Sequence, residues 1–160
     1  MLTFRGDDHG LRTRLERLHD AMTDLSPVWP NVESIFGDFI QKQFESQGGY
    51  TGTTWVPLNP SYAEWKSRHY GGKGMMHLTE RLYPSLRFPA HEEHVHYEGP
   101  NFVEMGTRVP YAKAHQYGRP DIKLPRRQVL PRFTSAEGKR IVDVILAYLF
   151  RRMRGGIGRG

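Results

Sequence analysis

Two stretches carry the residue types of a reactive or metal-binding site. The first is His91-Glu92-Glu93-His94-Val95-His96. His91 and His94 are three apart, whereas the zinc-protease helix motif needs histidines four apart with a glutamate beside the first, so that both imidazoles share a helical face. On a strand, His94 and His96 point to one face, a spacing suited to chelation. A third ligand and an open position are still required, and nothing in the sequence places them. The histidines therefore read as polar, solvent-facing positions on an outer strand, and no metal is assigned. The second stretch is Tyr111 to Leu130, which holds His115, Asp121, Arg126 and Arg127. His115 and Asp121 suggest a base and its orienting acid, but hydrolysis also needs a nucleophile in a constrained turn. Ser85 and Ser135 fall in ordinary helix positions without a G-x-S-x-G elbow. Glu92 and Glu93 are adjacent, so on a strand they face opposite ways. No catalytic residue and no cofactor is assigned. The run Gly71-Gly72-Lys73-Gly74 lacks the spacing and the Lys-Ser/Thr ending of a phosphate loop, and no strand precedes it, so it reads as a flexible loop.

Periodicity supplies the elements that must hold these residues. Leu11, Leu15, Leu18, Met22 and Leu25 form one narrow apolar stripe, predicting an amphipathic helix over about 10–25. The stripe suits either packing on its own domain or a contact with another subunit. Val32, Ile35, Phe36, Phe39, Ile40 and Phe44 give a second helix, about 31–46, whose face is broad enough to need burial on two sides. Asn59-Pro60-Ser61 reads as a capped helix start carrying Tyr62, Trp65 and Lys66. Leu78, Leu82, Ser85 and Leu86 form a short helix made irregular by Pro84. A hairpin at about 93–107 turns at Gly99-Pro100-Asn101, and a further strand near 127–133 is expected beside it. Pro110 and Gly118 frame a one-turn helix, with Pro at the first position and Gly as a left-handed stop. The C-terminal helix runs over about 134–153, capped by Thr134 or Ser135. The expected fold is α+β: a small antiparallel sheet packed with an N-terminal helical hairpin and a C-terminal helix. Residues 1–154 form one domain, and 155–160 a flexible Gly/Arg tail.

Charge and composition narrow the function classes. The 160 residues suffice for a real core, and the absence of cysteine excludes disulfides and thiolate metal sites. No segment is long and apolar enough to span a bilayer, and the start has no signal-peptide pattern, so no membrane partner is expected. From residue 119 on, 11 Lys/Arg stand against 3 Asp/Glu, while the rest of the chain has 12 against 14. A basic quarter of this kind meets nucleic acid, an acidic partner or only water. It has neither the interleaved aromatics of a single-strand platform nor a helix-turn-helix, zinc-finger or sheet-platform signature, so only non-specific backbone contact with DNA stays open.

Four landmarks, in order, resemble a known family. Trp55-Val56-Pro57-Leu58 is similar to the "W-x-P-L" of phage virion morphogenesis proteins, the tail-completion and neck proteins of tailed phages, including the Mu-type family. Leu78-Thr79-Glu80-Arg81-Leu82 with Ser85 resembles its "L-x-T-G-x-L-x-x-S". Tyr111-Ala112 with His115-Gln116-Tyr117-Gly118 resembles "Y-A-x-x-H-Q-x-G", and Leu124-Pro125-Arg126-Arg127 through Leu130 resembles "I-P-x-R-x-x-L". The match covers about 30–150. Glu80 stands where the family has glycine, which suggests a continuous helix in place of a turn. The resemblance implies a structural virion protein, not an enzyme. Such a protein is made in the host cytoplasm and forms a homo-oligomeric ring, commonly a hexamer, at the head-proximal end of the tail. It completes the tail and joins it to neck proteins, with DNA passing through. Tyr111, His115 and Gln116 then read as a clamp seating a short helix, and Pro125, Arg126 and Arg127 as an arm meeting the next subunit. A non-specific DNA-binding protein and, more distantly, a His115-dependent hydrolase are the alternatives.

Overall fold

The computed structural model describes residues 9–130 and 136–154. Six α-helices and one hairpin follow in order: α1 (His9–Thr23), α2 (Trp29–Glu45), α3 (Pro60–Tyr70), α4 (Leu82–Arg87), β1 (His94–Gly99), β2 (Phe102–Thr107), α5 (Ala112–Tyr117) and α6 (Ala136–Arg154). The α+β class is as expected. The proposed caps at Thr134 and Ser135 and the tail at 155–160 lie outside the described residues.

Helix α2 is the element on which the others pack. One side of it, Phe36, Phe39, Ile40 and Phe44, is buried with Trp55, Leu82, Leu86, Val109 and Val129. Its first turns, Trp29 and Val32, are buried with Val28 against Val103, Met105, Ile141, Val144, Ile145 and Tyr148. The broad apolar face thus finds its two covers: α4 and the 109–130 region on one side, α6 and β2 on the other. Helix α1 packs chiefly along α6. Of its stripe, Leu11, Leu15 and Met22 stay more than half exposed, whereas Ala21, outside the stripe, is fully buried.

The hairpin is antiparallel, with His94 opposite Thr107, His96 opposite Met105 and Glu98 opposite Val103. Residues directly opposite one another share a face. His94, His96 and Glu98 therefore share a face with Val103 and Met105, so His94 is half-buried, against the solvent-facing position expected of it, while His96 is exposed as expected. The turn is fixed from α2, because Trp29 Nε1 donates to the Gly99 carbonyl at 2.8 Å. Tyr97 and Phe102, on the other face, are exposed.

Three local expectations change. The third strand near 127–133 does not form over its described part: the sheet has two strands, and residues 127–130 have no ladder partner. Leu78 precedes α4 instead of lying on it, because Glu80 adopts a left-handed φ of 51° that breaks the chain before Leu82. This is the conformation a glycine would take freely, so the family's turn survives the substitution and no continuous helix forms. Pro84 falls in the first turn of α4, where its missing N–H costs no hydrogen bond. The glycine run closes α3, with Gly71 left-handed at the C-cap, and the Gly74 carbonyl accepts from the buried Lys66 Nζ at 2.6 Å.

Candidate functional site

The four sequence landmarks meet in space. Residues 127–130 lack a strand partner, and their backbone groups are met by side chains. The Gln128 carbonyl accepts from Gln43 Nε2 at 2.7 Å and from Trp55 Nε1 at 2.9 Å. Gln116 Oε1 accepts from the Val129 and Leu130 amides at 2.8 and 3.0 Å. The Arg127 amide donates to the His115 carbonyl at 2.7 Å. Buried polar groups need such partners, and here side chains from α2, the 55–58 segment and α5 take the place of a third strand.

Arg127 closes the arrangement. The residue is 4% exposed, and its guanidinium donates to the Val56 and Pro57 carbonyls at 3.0 and 3.3 Å. Arg127 is therefore an internal strut between two landmarks. Arg126 is exposed, with Nε donating to the Gln116 carbonyl at 3.2 Å and Nη2 to Gln128 Oε1 at 2.9 Å. Pro125 is half-buried beside it.

Trp55 is wedged edge-on against Phe44, with ring centroids 5.3 Å apart. A Cβ on Gly48 would lie 2.5 Å from the Trp55 ring, so the turn before the W-x-P-L segment requires glycine on contact as well as on its φ of 89°. Leu82 is buried, as is Ser85, whose hydroxyl donates to the Leu82 carbonyl at 2.9 Å. With that proton committed, the 2.6 Å bond to Thr107 Oγ1 runs from Thr107 to Ser85. Ser85 therefore ties α4 to β2 and is not poised as a nucleophile.

In α5 the helix starts at Ala112, later than Pro110 suggests. The Tyr111 hydroxyl bonds Thr79 Oγ1 at 3.0 Å, and its ring meets His115 edge-on. Gly118 has φ 77° and ψ 168°, an extended mirror conformation beyond the left-handed stop expected of it, and its open side lies against the Arg126 backbone. His115 Nδ1 is buried without a partner. Burial first, and then the nearby Arg127 charge, pull this imidazole below its usual range. The expected acid partner is elsewhere, because Asp121 pairs with Arg119 at 3.2 Å. A neutral imidazole without its carboxylate, a Ser85 that has spent its proton and a buried Arg127 do not form a hydrolytic constellation.

Beside the junction lies a cleft of about 420 Å³ lined by Leu58, Leu78, Tyr111, His115, Pro125 and Arg127, with Tyr62, Met76, Ile122 and Leu124 widening it. All four landmarks thus contribute to one mostly apolar recess. Sequence reasoning missed Gln43, which is fully buried on α2. Its signal was available, since it sits between Ile40 and Phe44 on an otherwise apolar face. It named Lys66 and Thr79 but not their partners, the Gly74 carbonyl and the Tyr111 hydroxyl, which are set by loops that no periodicity describes.

A family model described as the phage virion morphogenesis family matches residues 7–150. No curated protein and no solved structure matches the chain.

Proposed function

This chain belongs to the phage virion morphogenesis family, and we propose that it is the repeating subunit of a ring at the head-proximal end of a phage tail, completing the tail and joining it to neck proteins. The family role is structural, in virion assembly, and among the described residues no helix is long and apolar enough to cross a membrane. The observation that carries the reading is the amount of apolar surface left open. Leu11, Leu15 and Met22 on α1 and Val142, Leu146 and Phe150 on α6 are each 44% exposed or more. Exposed apolar side chains repeated along two helices that pack on each other support an interaction site. The motif-lined cleft is a second, different surface. One patch meeting a different patch on the next copy is the head-to-tail contact that closes rings, and the basic last quarter against the acidic remainder favours one register. We infer six copies, with neighbouring neck and tail proteins above and below and DNA passing through the opening.

Mass photometry and negative-stain microscopy of the purified chain test this, with hexameric rings as the expected result. Leu15→Glu with Leu146→Glu should leave monomers with an unchanged helical circular dichroism spectrum. Arg126→Glu should weaken the ring in a salt-dependent way. A chain that stays monomeric at high concentration and in the presence of tails would sink the proposal, as would rings that persist in all of these variants.

A further inference from the structure

A different part of the molecule, independent of the ring contact, assembles a ligand set. On the hairpin face beside α2, His96 Nε2 lies 2.9 Å from Glu33 Oε1 of α2 and 4.0 Å from Glu98 Oε2 of the same strand. The nearest ligand atoms of the three all lie within 4.8 Å of one another. We propose that Glu33, His96 and Glu98 hold one divalent cation of the zinc class, bridging α2 to the hairpin.

The third ligand that the sequence could not place is Glu33, which folding brings across from another element. Both elements are stiff at this point. Val32 beside Glu33 is buried, and the strand register is fixed by six consecutive pairs from His94–Thr107 to Gly99–Phe102. One imidazole and two carboxylates suit a borderline cation such as Zn²⁺, whereas Mg²⁺ and Ca²⁺ prefer oxygen ligands alone. Bonds of about 2.1 Å in a tetrahedron put ligand atoms ~3.4 Å apart, so the observed separations need only small side-chain rotations. The His96 and Glu33 side chains are 32% and 33% exposed, which leaves room for water at the remaining position. His94 is the next donor along the same face, its ring centroid 6.3 Å from that of His96. The His94 Nδ1 proton goes to the Ser85 carbonyl at 2.7 Å, so its Nε2 carries the free lone pair. A backbone carbonyl orienting the far nitrogen is the usual support of a metal-binding histidine.

The bland alternative is a hydrogen-bonded imidazole bridging two acids, and the experiment separates the two. The untagged 160-residue chain, freed of metal with chelator, is titrated calorimetrically with ZnCl₂ and, separately, MgCl₂. The expected result is one equivalent of Zn²⁺ bound and no response to Mg²⁺, with Co²⁺ in its place giving visible absorption bands. His96→Ala and Glu98→Gln should each weaken Zn²⁺ binding by at least about tenfold. Glu98 is exposed, so Glu98→Gln decides the matter even if His96→Ala misfolds. Absence of stoichiometric Zn²⁺ binding overturns the proposal. So does binding that Glu98→Gln leaves unchanged, which would move the cation to His91 or another histidine.

Discussion

Around Gln128 the chain satisfies its own backbone with buried side chains, whereas along α1 and α6 it leaves rows of leucine, methionine, valine and phenylalanine open. The two regions answer to different partners. The junction of Gln43, Trp55, Gln116 and Arg127 closes within one copy, so a change there is felt by the monomer. The α1 and α6 rows add little to the monomer, because surface that stays wet contributes no burial free energy. A change there is felt only when something covers it. The family landmarks fall on the first kind of surface and its adjoining cleft, which makes them signatures of the fold before they are signatures of assembly.

Arg127→Met puts the largest strain on that division. Two carbonyls lose a buried charged donor, and the cost should be about 3 kcal/mol. In a domain of this size that is a fall of roughly 6–12 °C in thermal midpoint. Its exposed neighbour, in Arg126→Glu, should stay within about 0.5 kcal/mol of the parent protein in urea denaturation. Equal losses in the two variants would erase the distinction between strut and surface. Reversing both arginines together would confuse unfolding with loss of assembly, so the single changes are the informative ones.

Gln116→Leu should cost less, about 2 kcal/mol, since its oxygen serves two neutral amides. Hydrogen exchange is the sharper reading: the Val129 and Leu130 amides should lose protection selectively. Gln116→Glu keeps the acceptor and should restore it. If neither amide responds, the 127–130 segment is held by something other than α5.

Much of this architecture was legible in residue order. The double burial of α2 follows from Val32, Ile35, Phe36, Phe39, Ile40 and Phe44, and the hairpin from Gly99-Pro100-Asn101. Arg127 was not legible. Next to Arg126 in a basic, proline-pinned arm it reads as surface, and only the arrival of the Val56 and Pro57 carbonyls from 70 residues away makes its burial affordable. The same holds for the missing third strand. Val129 and Leu130 have strand composition, but side-chain oxygens and nitrogens compete successfully for the backbone groups a ladder would use. Glu33 was illegible for a related reason, as strand spacing puts His94 and His96 on one face but does not show which helix side chain lies beside it.

Acid sensitivity probes the junction more gently. The folded His115 imidazole has a pKa below that of the unfolded chain, through burial and then Arg127. Between the folded value and about 6.5 the unfolded state binds the extra proton, so stability rises with pH across that window and is lost on acidification through it. His115→Leu removes the orphaned Nδ1 and should show a shallower loss between pH 7 and 5. Parallel stability curves for the two proteins would mean that His115 is open to water and is no part of the closed region.

The smallest effect is expected at Glu80, on the rim of the junction, where a strained backbone and a surface ion pair oppose each other. Its φ of 51° costs a side-chain-bearing residue about 1 kcal/mol. Against this, His77 Nδ1 lies 3.0 Å and Lys73 Nζ 3.3 Å from its carboxylate, and the His77 contact first of all holds the carboxyl below its ordinary range. Such exposed pairs are worth about 0.2–1 kcal/mol. Glu80→Gly gives up the pair and relieves the backbone, so its urea midpoint should barely move, by no more than about 0.5 kcal/mol in stability. Glu80→Ala gives up the pair and keeps the strain, and should fall below the glycine variant. The order of the two variants is the measurement that matters. Alanine above glycine would mean that the chain passes residue 80 without the left-handed turn, and that Leu78 and Thr79 reach the cleft by some other path.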